Sequence, residues 1–363
     1  MKRLIYLLLV TIIVSCKKDS HSINPQTKTA SKKYAVRFSV AQFTETVGPI
    51  TVSRRHTLAS SKNNAVSPDT TTLGKQIVEY YYLVYDNAGN EIRRIYRSSA
   101  DYQTKVDFHA GPQYNQGGIV GLRYINTTDP YNIFTDSLAA GTYTVVFTGD
   151  SGDRNNSGIN INNNDVDQDA VEIFSLLPQA TIYAGQGLDA EPISMDLFFS
   201  KTTLVVGTQN MISNINLDRV VGQLEVDLQD AIPANVAYIN LTRQNEDGGF
   251  HINTETSTSP VENQDDQGNL LDPNYDIITS SEIGKAGLSF YRYIWNTVTP
   301  VTITLQAVDI NNHILFTKKI PNVSFYQNRR TILTGKLFNN TSSDQFTITA
   351  NQTWGPDGPT IQF

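Results

Sequence analysis

Apolar and polar side chains alternate along many short segments of this chain, and this period of two constrains the fold more than any other feature. In residues 220–230, Leu224, Val226 and Leu228 fall on one side, while Glu225 and its charged or amide neighbours fall on the other. Successive side chains of a strand point to opposite faces of a sheet, whereas a helix repeats every 3.6 residues. No segment carries a sustained helical period, so the sequence predicts an all-β fold.

Strand patterns occur throughout the chain. In the first half they cover 34–43, 76–85, 91–96 and 142–149, with polar loops at 53–74 and 150–169. The loop at 86–90 (Asp-Asn-Ala-Gly-Asn) has the Asn and Gly residues that tolerate the positive φ of a hairpin turn, so we predict a β-hairpin there. In the second half the strand patterns cover 202–206, 220–230, 237–242, 301–309, 313–319, 330–338 and 346–353.

The length of the chain predicts more than one domain. At about 150 residues per domain, the part after residue 33 is long enough for two. Many short strands separated by turn signals are typical of β-sandwiches. We therefore predict an N-terminal sandwich in 34–200 and a C-terminal sandwich in 201–363.

The first residues are typical of an exported, lipid-anchored protein. Lys2 and Arg3 precede a largely apolar stretch of eleven residues at 4–14, too short for a helix to span about 30 Å of hydrocarbon. Ser15 and Cys16 complete a sequence that resembles the lipobox of bacterial lipoproteins. We predict a signal peptide at 1–15, an acylated Cys16 that holds the protein to outer-membrane lipid, and a polar tether at 16–33. The alternative is a lone reactive or buried cysteine.

Composition and motifs argue against several functions. The net charge of the chain is −7, whereas a protein that binds nucleic acid needs a basic surface. Gly185 to Ala190 matches a dinucleotide fingerprint only formally, because Pro192 stands where the helix should follow and no βαβ unit surrounds it. The five histidines lack zinc spacing and no nucleophile elbow is present. We predict no cofactor and no enzymatic activity. The alternative that the sequence leaves open is a glycosidase site with a pair of carboxylates that are distant in the sequence and close together in the fold.

One loop resembles the start of a calcium site. Asp153, Asn155 and Ser157 precede Gly158 and supply oxygen atoms at alternate positions. The twelfth position is Asn164 where a bidentate Glu is expected. A solvated Asn/Asp loop is therefore the favoured interpretation, and calcium is the weaker alternative.

Several segments, taken in order, resemble the fimbrillin superfamily of Bacteroidetes-type bacteria, the subunits and anchors of type V pili. The segments that carry the resemblance are 83–92, 138–150, 220–241, 320–338 and 346–363. Residues 48–74 and 247–283 do not match. The resemblance implies two tandem transthyretin-like Greek-key β-sandwiches, lipid-dependent export to the cell surface, adhesion, and assembly with other fimbrial subunits by β-strand complementation. Asp69-Thr70-Thr71 and 136–138 resemble short O-glycosylation sites of the same bacteria.

The resemblance also suggests two sites on this chain. In stalk subunits a protease specific for Arg removes the first strand; here Arg54 and Arg55 follow the strand at 34–43, and an unprocessed basic pair in a loop is the favoured alternative. The donor strand would come from the C-terminus, where the alternative is an ordinary last strand of the second core. The donor residues would be Phe346, Ile348, Trp354, Ile361 and Phe363.

A rival function from another class is a monomeric, surface-exposed glycan-binding lipoprotein. Trp295, Trp354 or the tyrosines 80–82 would then stack on sugar rings in a cleft built from loops. Such aromatic residues lie in cores or on sheet faces more often than in binding clefts.

Overall fold

Among the residues that the computed structural model describes, every regular element is a β-strand, which confirms the predicted all-β class. The structure describes residues 31–41, 77–110, 119–151, 159–162, 175–184, 195–244, 246–258, 274–295, 299–339 and 346–353. From Lys33 onward these residues belong to one compact unit. Within the described ranges, no helix has the length and apolar character required to cross a bilayer.

Twelve strands lie in the described residues up to Arg219. They are β1 (Lys33–Val40), β2 (Glu79–Tyr85), β3 (Glu91–Ser98), β4 (Thr104–Ala110), β5 (Ile119–Asn126), β6 (Ile133–Ala139), β7 (Gly141–Asp150), β8 (Ile159–Asn162), β9 (Thr181–Ala184), β10 (Leu197–Val206), β11 (Met211–Ile215) and β12 (Asp218–Arg219). The hairpin predicted around residues 86–90 is confirmed, since β2 and β3 pair antiparallel across it. Gly89 has φ +84° and the Asp86 carboxylate accepts the N–H groups of Ala88 and Asn90, which fixes the turn.

Ten further strands complete the described chain. They are β13 (Gly222–Leu228), β14 (Tyr238–Gln244), β15 (Gly249–His251), β16 (Thr256–Ser257), β17 (Asn274–Ile277), β18 (Leu288–Ile294), β19 (Val301–Val308), β20 (Ile314–Val323), β21 (Arg329–Gly335) and β22 (Thr347–Thr353).

Two sandwiches with the same strand order follow one another along the chain. The first packs the sheet β11-β1-β6 against β12-β10-β7-β2-β3-β4-β5, and the second packs β18-β13-β21-β22 against β17-β14-β19-β20. Seven strands correspond, because β6-β1-β11 matches β18-β13-β21 and β3-β2-β7-β10 matches β17-β14-β19-β20. The pairing directions also agree: β1 is parallel to β11 as β13 is to β21. The predicted division after residue 200 falls inside β10, and we propose a boundary between Arg219 and Gly222.

All seven residues of β2 are buried, which reflects packing on both faces of its sheet. Tyr80 and Tyr82 belong to the core shared with β1 and β6. Tyr81 and Leu83 belong to a second core on the opposite face, where the small sheet β16-β15-β9-β8 covers them together with Trp295 of the loop after β18. A strand covered on both sides needs an almost continuous apolar sequence, as the Tyr-Tyr-Tyr-Leu-Val-Tyr run provides.

A buried carboxyl near this second core is expected to make stability depend on pH. Burial raises the pKa of Glu246 to about 7, although Arg243 Nε lies 2.8 Å from its Oε2 and opposes the rise; the nearby Asp247 adds to it. Between pH 4.5 and about 7 the unfolded chain loses this proton while the folded chain keeps it. Stability therefore falls as pH rises through this window, by about 3 kcal/mol at most, since one pKa unit corresponds to about 1.4 kcal/mol.

Urea denaturation at several pH values, with Glu246→Gln as the matched neutral variant, measures this contribution. The difference in unfolding free energy between the two proteins should change across pH 5 to 7.5 and be constant below pH 4. Parallel pH profiles for the two proteins would contradict the prediction.

Candidate strand-exchange site

The strand β1 lies at the centre of its three-stranded sheet. It is antiparallel to β6, with Phe38 opposite Phe134, and parallel to β11, with Phe38 opposite Ser213. Val36, Phe38 and Val40 are at most 1% exposed, and the alternation predicted from the sequence therefore matches the observed burial. Because β1 is the middle strand, a chain without it would present two facing strand edges and an apolar groove between them.

Aromatic rings form the floor of this groove. The Phe38 ring lies 5.3 Å from that of Tyr82 and 5.4 Å from that of Phe147. Phe134 packs 5.6 Å from both of these rings, measured between centroids. At about 1.5–3 kcal/mol for each buried large side chain, the three apolar residues of β1 contribute roughly 5–9 kcal/mol of gross burial.

A buried arginine holds the wall of the groove. Arg97 is fully buried and its guanidinium donates to backbone carbonyls of residues 129, 130, 131 and 133, in the segment that leads into β6. The Nε of Arg97 donates to the carbonyl of Tyr102. Tyr80 donates its hydroxyl to the carbonyl of Tyr131, whose own hydroxyl donates to the carbonyls of Ile77 and Val78. These bonds fix where β6 begins and therefore where β1 can pair.

Charged groups lie beside the aromatic floor. The Tyr82 hydroxyl donates to Asp136 at 3.2 Å, and Arg93 lies 3.4 Å from the same carboxylate. Burial, followed by the charge of Asp136, raises the pKa of Tyr82 well above its ordinary value. Arg93 also binds Asp107, which in turn pairs with Arg123. Tyr82 is therefore a neutral hydrogen-bond donor at physiological pH, and this cluster orders the face of β6 that contacts the floor.

The C-terminal strand β22 is an edge strand that pairs with β21 of the same chain. Phe346, just before it, is half-buried against the core of the second sandwich, and Ile348 is 40% exposed. The ring of Phe346 lies over Gly335, where an added Cβ would come within 2.7 Å of it. This pairing is what an ordinary last strand would make. The donor role of these two residues remains a prediction, and Trp354, Ile361 and Phe363 lie outside the described residues.

Other predicted sites also lie outside the described residues. These are the lipidation site Cys16, the basic pair Arg54 and Arg55, and the calcium candidate formed by Asp153, Asn155 and Ser157. Within the described ranges, no three His, Cys, Asp or Glu side chains come together as a metal site would require. Ser137, in one of the two glycosylation-like triplets, is exposed on β6.

The aromatic residues considered for sugar stacking lie in the cores. Trp295 is 1% exposed, and Tyr80, Tyr81 and Tyr82 are at most 3% exposed. Sugar rings need an exposed aromatic face, so these four residues do not form a binding cleft. Trp354 lies outside the described residues.

The sequence did not reveal the polar residues that hold the strand-exchange site in place. Arg97 is one of three arginines in β3, and its place in the sequence gives no sign of its burial. The available signal for a fixed loop was the sequence Asp129-Pro130-Tyr131, which is typical of a turn.

Comparisons with known proteins give structural likenesses only. No known family profile matches the sequence, and no curated protein matches it either. Among solved structures, a candidate adhesin from Bacteroides ovatus is 11% identical with a TM-score of 0.43, over 87% of this chain and 96% of that protein. The fimbrial anchor protein Mfa2 from Porphyromonas gingivalis is 10% identical with a TM-score of 0.42, over 87% and 95%.

A third structure, a candidate polysaccharide-binding protein from Bacteroides thetaiotaomicron, is 10% identical with a TM-score of 0.41, over 84% of this chain and 92% of that protein. We infer nothing about function from likeness at this level. These three structures are a candidate adhesin, a fimbrial anchor protein and a candidate polysaccharide-binding protein, all from Bacteroidetes bacteria.

Proposed function

We propose that this chain is a non-enzymatic cell-surface lipoprotein that anchors or joins a fimbria-like polymer in adhesion, with subunits assembled by β-strand complementation. The central position of β1 is the observation that supports this proposal. Its removal would expose the unpaired edges of β6 and β11 together with an aromatic floor, and a strand from a neighbouring subunit would satisfy both.

The order of sites along the chain makes two roles mutually exclusive. Cys16 precedes β1, whereas Arg54 and Arg55 follow it. Cleavage at the basic pair would release β1 together with the lipid, so a cleaved chain is a stalk subunit with an open groove. An uncleaved chain keeps both β1 and its membrane attachment, and is therefore an anchor or accessory subunit.

The C-terminal sequence has the pattern that such a groove requires. In β1 the buried residues Val36, Phe38 and Val40 occur at every second position. Phe346, Ile348 and Ala350 repeat this spacing in the donor candidate. A strand with apolar residues at positions i, i+2 and i+4 places all three on one face.

The N-terminus and the lipid state of the protein from its native membrane test the proposal. Intact mass and peptide mapping should find either an acylated Cys16 still joined to β1 or an unlipidated chain that starts at Arg55 or His56. The first result assigns an anchor or accessory role, and the second assigns a polymerising subunit. An unmodified Met1 would contradict the proposal.

A second measurement separates assembly from simple attachment. The purified protein should capture a sister subunit, or form ladders that resist mild detergent. Lipidated protein that stays monomeric and instead shifts in a polysaccharide affinity gel would favour the glycan-binding function.

A further inference from the structure

The repeated strand order of the two sandwiches leaves one strand position open in the first. In the second sandwich, β21 pairs with β13 on one side and with β22 on the other. Its counterpart β11 pairs with β1, and among the strands that the structure describes none pairs with the other side of β11. The chain continues from β11 through β12 into β13 and does not return to that edge within the described residues.

Two equivalent isoleucines show the consequence of the open position. Ile212 lies opposite Arg37 of β1, and Ile332 lies opposite Glu225 of β13. Ile332 is half-buried where β22 runs beside it, with Thr349 opposite, whereas Ile212 is 73% exposed. An isoleucine this exposed on an edge strand is apolar surface that a partner strand would cover.

The backbone of this edge carries a regular set of hydrogen-bonding groups. The carbonyl of Ile215 accepts the N–H of Ala41 at 2.8 Å, so Ile215 directs its backbone groups toward β1. Backbone N–H and C=O groups point to alternate sides along a strand, so those of Met211 and Ser213 also point toward β1. Ile212 and Asn214 direct their N–H and C=O groups toward the open side.

We propose that this edge binds β11 of a second copy of the chain, antiparallel and centred on Ser213. Ile212 of each copy then lies opposite Asn214 of the other. Each of these two pairs exchanges two N–H···O bonds, so all outward backbone groups of both residues are satisfied. The edge is self-complementary for this reason, and the resulting contact is a two-fold symmetric dimer.

The neighbouring strand extends the same surface. β12 covers β10 only at Phe198 and Phe199, which leaves the edge of β10 uncovered by described strands toward its end. Only residues 207–210 connect β10 to β11, so both edges lie on one side of the sandwich. Val205 on β10 is 66% exposed and adds apolar surface there.

An edge strand of the second sandwich carries features that oppose such pairing. The edge strand β20 includes Lys318, Lys319 and Pro321, and charges and proline at an edge discourage strand addition. β11 contains neither a charged residue nor a proline. This contrast favours β11 over β20 as the edge that is used.

The C-terminal strand of another copy fits this edge less well. In the second sandwich Phe346 can lie over Gly335 because that position has no side chain. The corresponding position of β11 is Ile215, which is 2% exposed and fills the space. A strand placed as β22 is would therefore collide there.

Sedimentation of the full-length chain in detergent solution, over a range of concentrations, tests the proposal with point variants. Asn214→Pro removes an outward N–H without removing a bond to β1, and Ile212→Lys places a charge on the edge. Each variant should weaken dimerisation by roughly tenfold or more. The dimer of Asn214→Pro loses two N–H···O bonds, and the dimer of Ile212→Lys buries two charges. Ile310→Lys, at an 86% exposed isoleucine between β19 and β20, is the matched control and should dimerise as the parent does.

Cysteine cross-linking tests the register. Ser213 of one copy lies opposite Ser213 of the other, so Ser213→Cys should give a covalent dimer on mild oxidation. The parent chain and Ser137→Cys, on the exposed face of β6, should not. The proposal is overturned by a parent chain that stays monomeric, by a dimer that Asn214→Pro and Ile212→Lys leave unchanged, or by cross-links from β11 to the C-terminal strand.

Discussion

Replacing Phe38 with Ala is expected to lower the free energy of unfolding by about 3–5 kcal/mol. The side chain is fully buried between the rings of Tyr82 and Phe147, and truncation would leave a cavity that the surrounding rings cannot fill. Guanidinium denaturation, followed by tyrosine fluorescence, measures the change. The result bears directly on the proposed function, because the same contacts line the groove from which β1 would be exchanged.

Arg37→Ala is the matched control for Phe38→Ala. Arg37 is the preceding residue of β1, its side chain is 45% exposed, and its ion pair with Asp129 spans 3.7 Å. An exposed pair of this kind contributes about 0–1 kcal/mol. Equal effects of the two substitutions would mean that β1 is not part of the core, and the groove would then lack its main attraction for a donor strand.

Replacing Arg97 with Lys is expected to cost about 2–4 kcal/mol, although the charge is kept. The planar guanidinium reaches several carbonyls at once, in two places on the chain, and an ammonium group on a different stem cannot replace these bonds. Each buried carbonyl left without a donor costs about 1–3 kcal/mol. Thermal unfolding of the variant should show the loss.

Arg123→Lys on β5 is the control for Arg97→Lys. Its side chain is 62% exposed and pairs with Asp107. The same chemical change there should shift the free energy of unfolding by less than about 1 kcal/mol. If Arg97→Lys is equally mild, the loop before β6 is held by other contacts, and Tyr80 with its bond to Tyr131 becomes the main support.

The alternation in the sequence was enough to predict which residues of several strands face a core. Val36, Phe38 and Val40 are buried, and the alternating residues Leu224, Val226 and Leu228 are buried as well. The Asn and Gly residues at 86–90 were likewise enough to predict the hairpin between β2 and β3. Several strands escaped prediction. β4, β5, β6 and β18 were missed although each has seven or eight residues, and β8 lies inside the segment 150–169 that was predicted to be a loop. In the short strands β8, β9, β15 and β16, two to four residues carry too little periodicity.

The sequence by itself determined the all-β class, the faces of the longer strands and the hairpin at Gly89, because these depend on local backbone preferences and on a period of two. Only the tertiary structure decided that β1 lies between β6 and β11, that β2 is covered on both faces, and that Arg97 caps a distant loop. Val36 and its partner Met211 are 175 residues apart in the chain. Pairing across such a distance depends on how whole sheets pack together, a choice that no local pattern encodes.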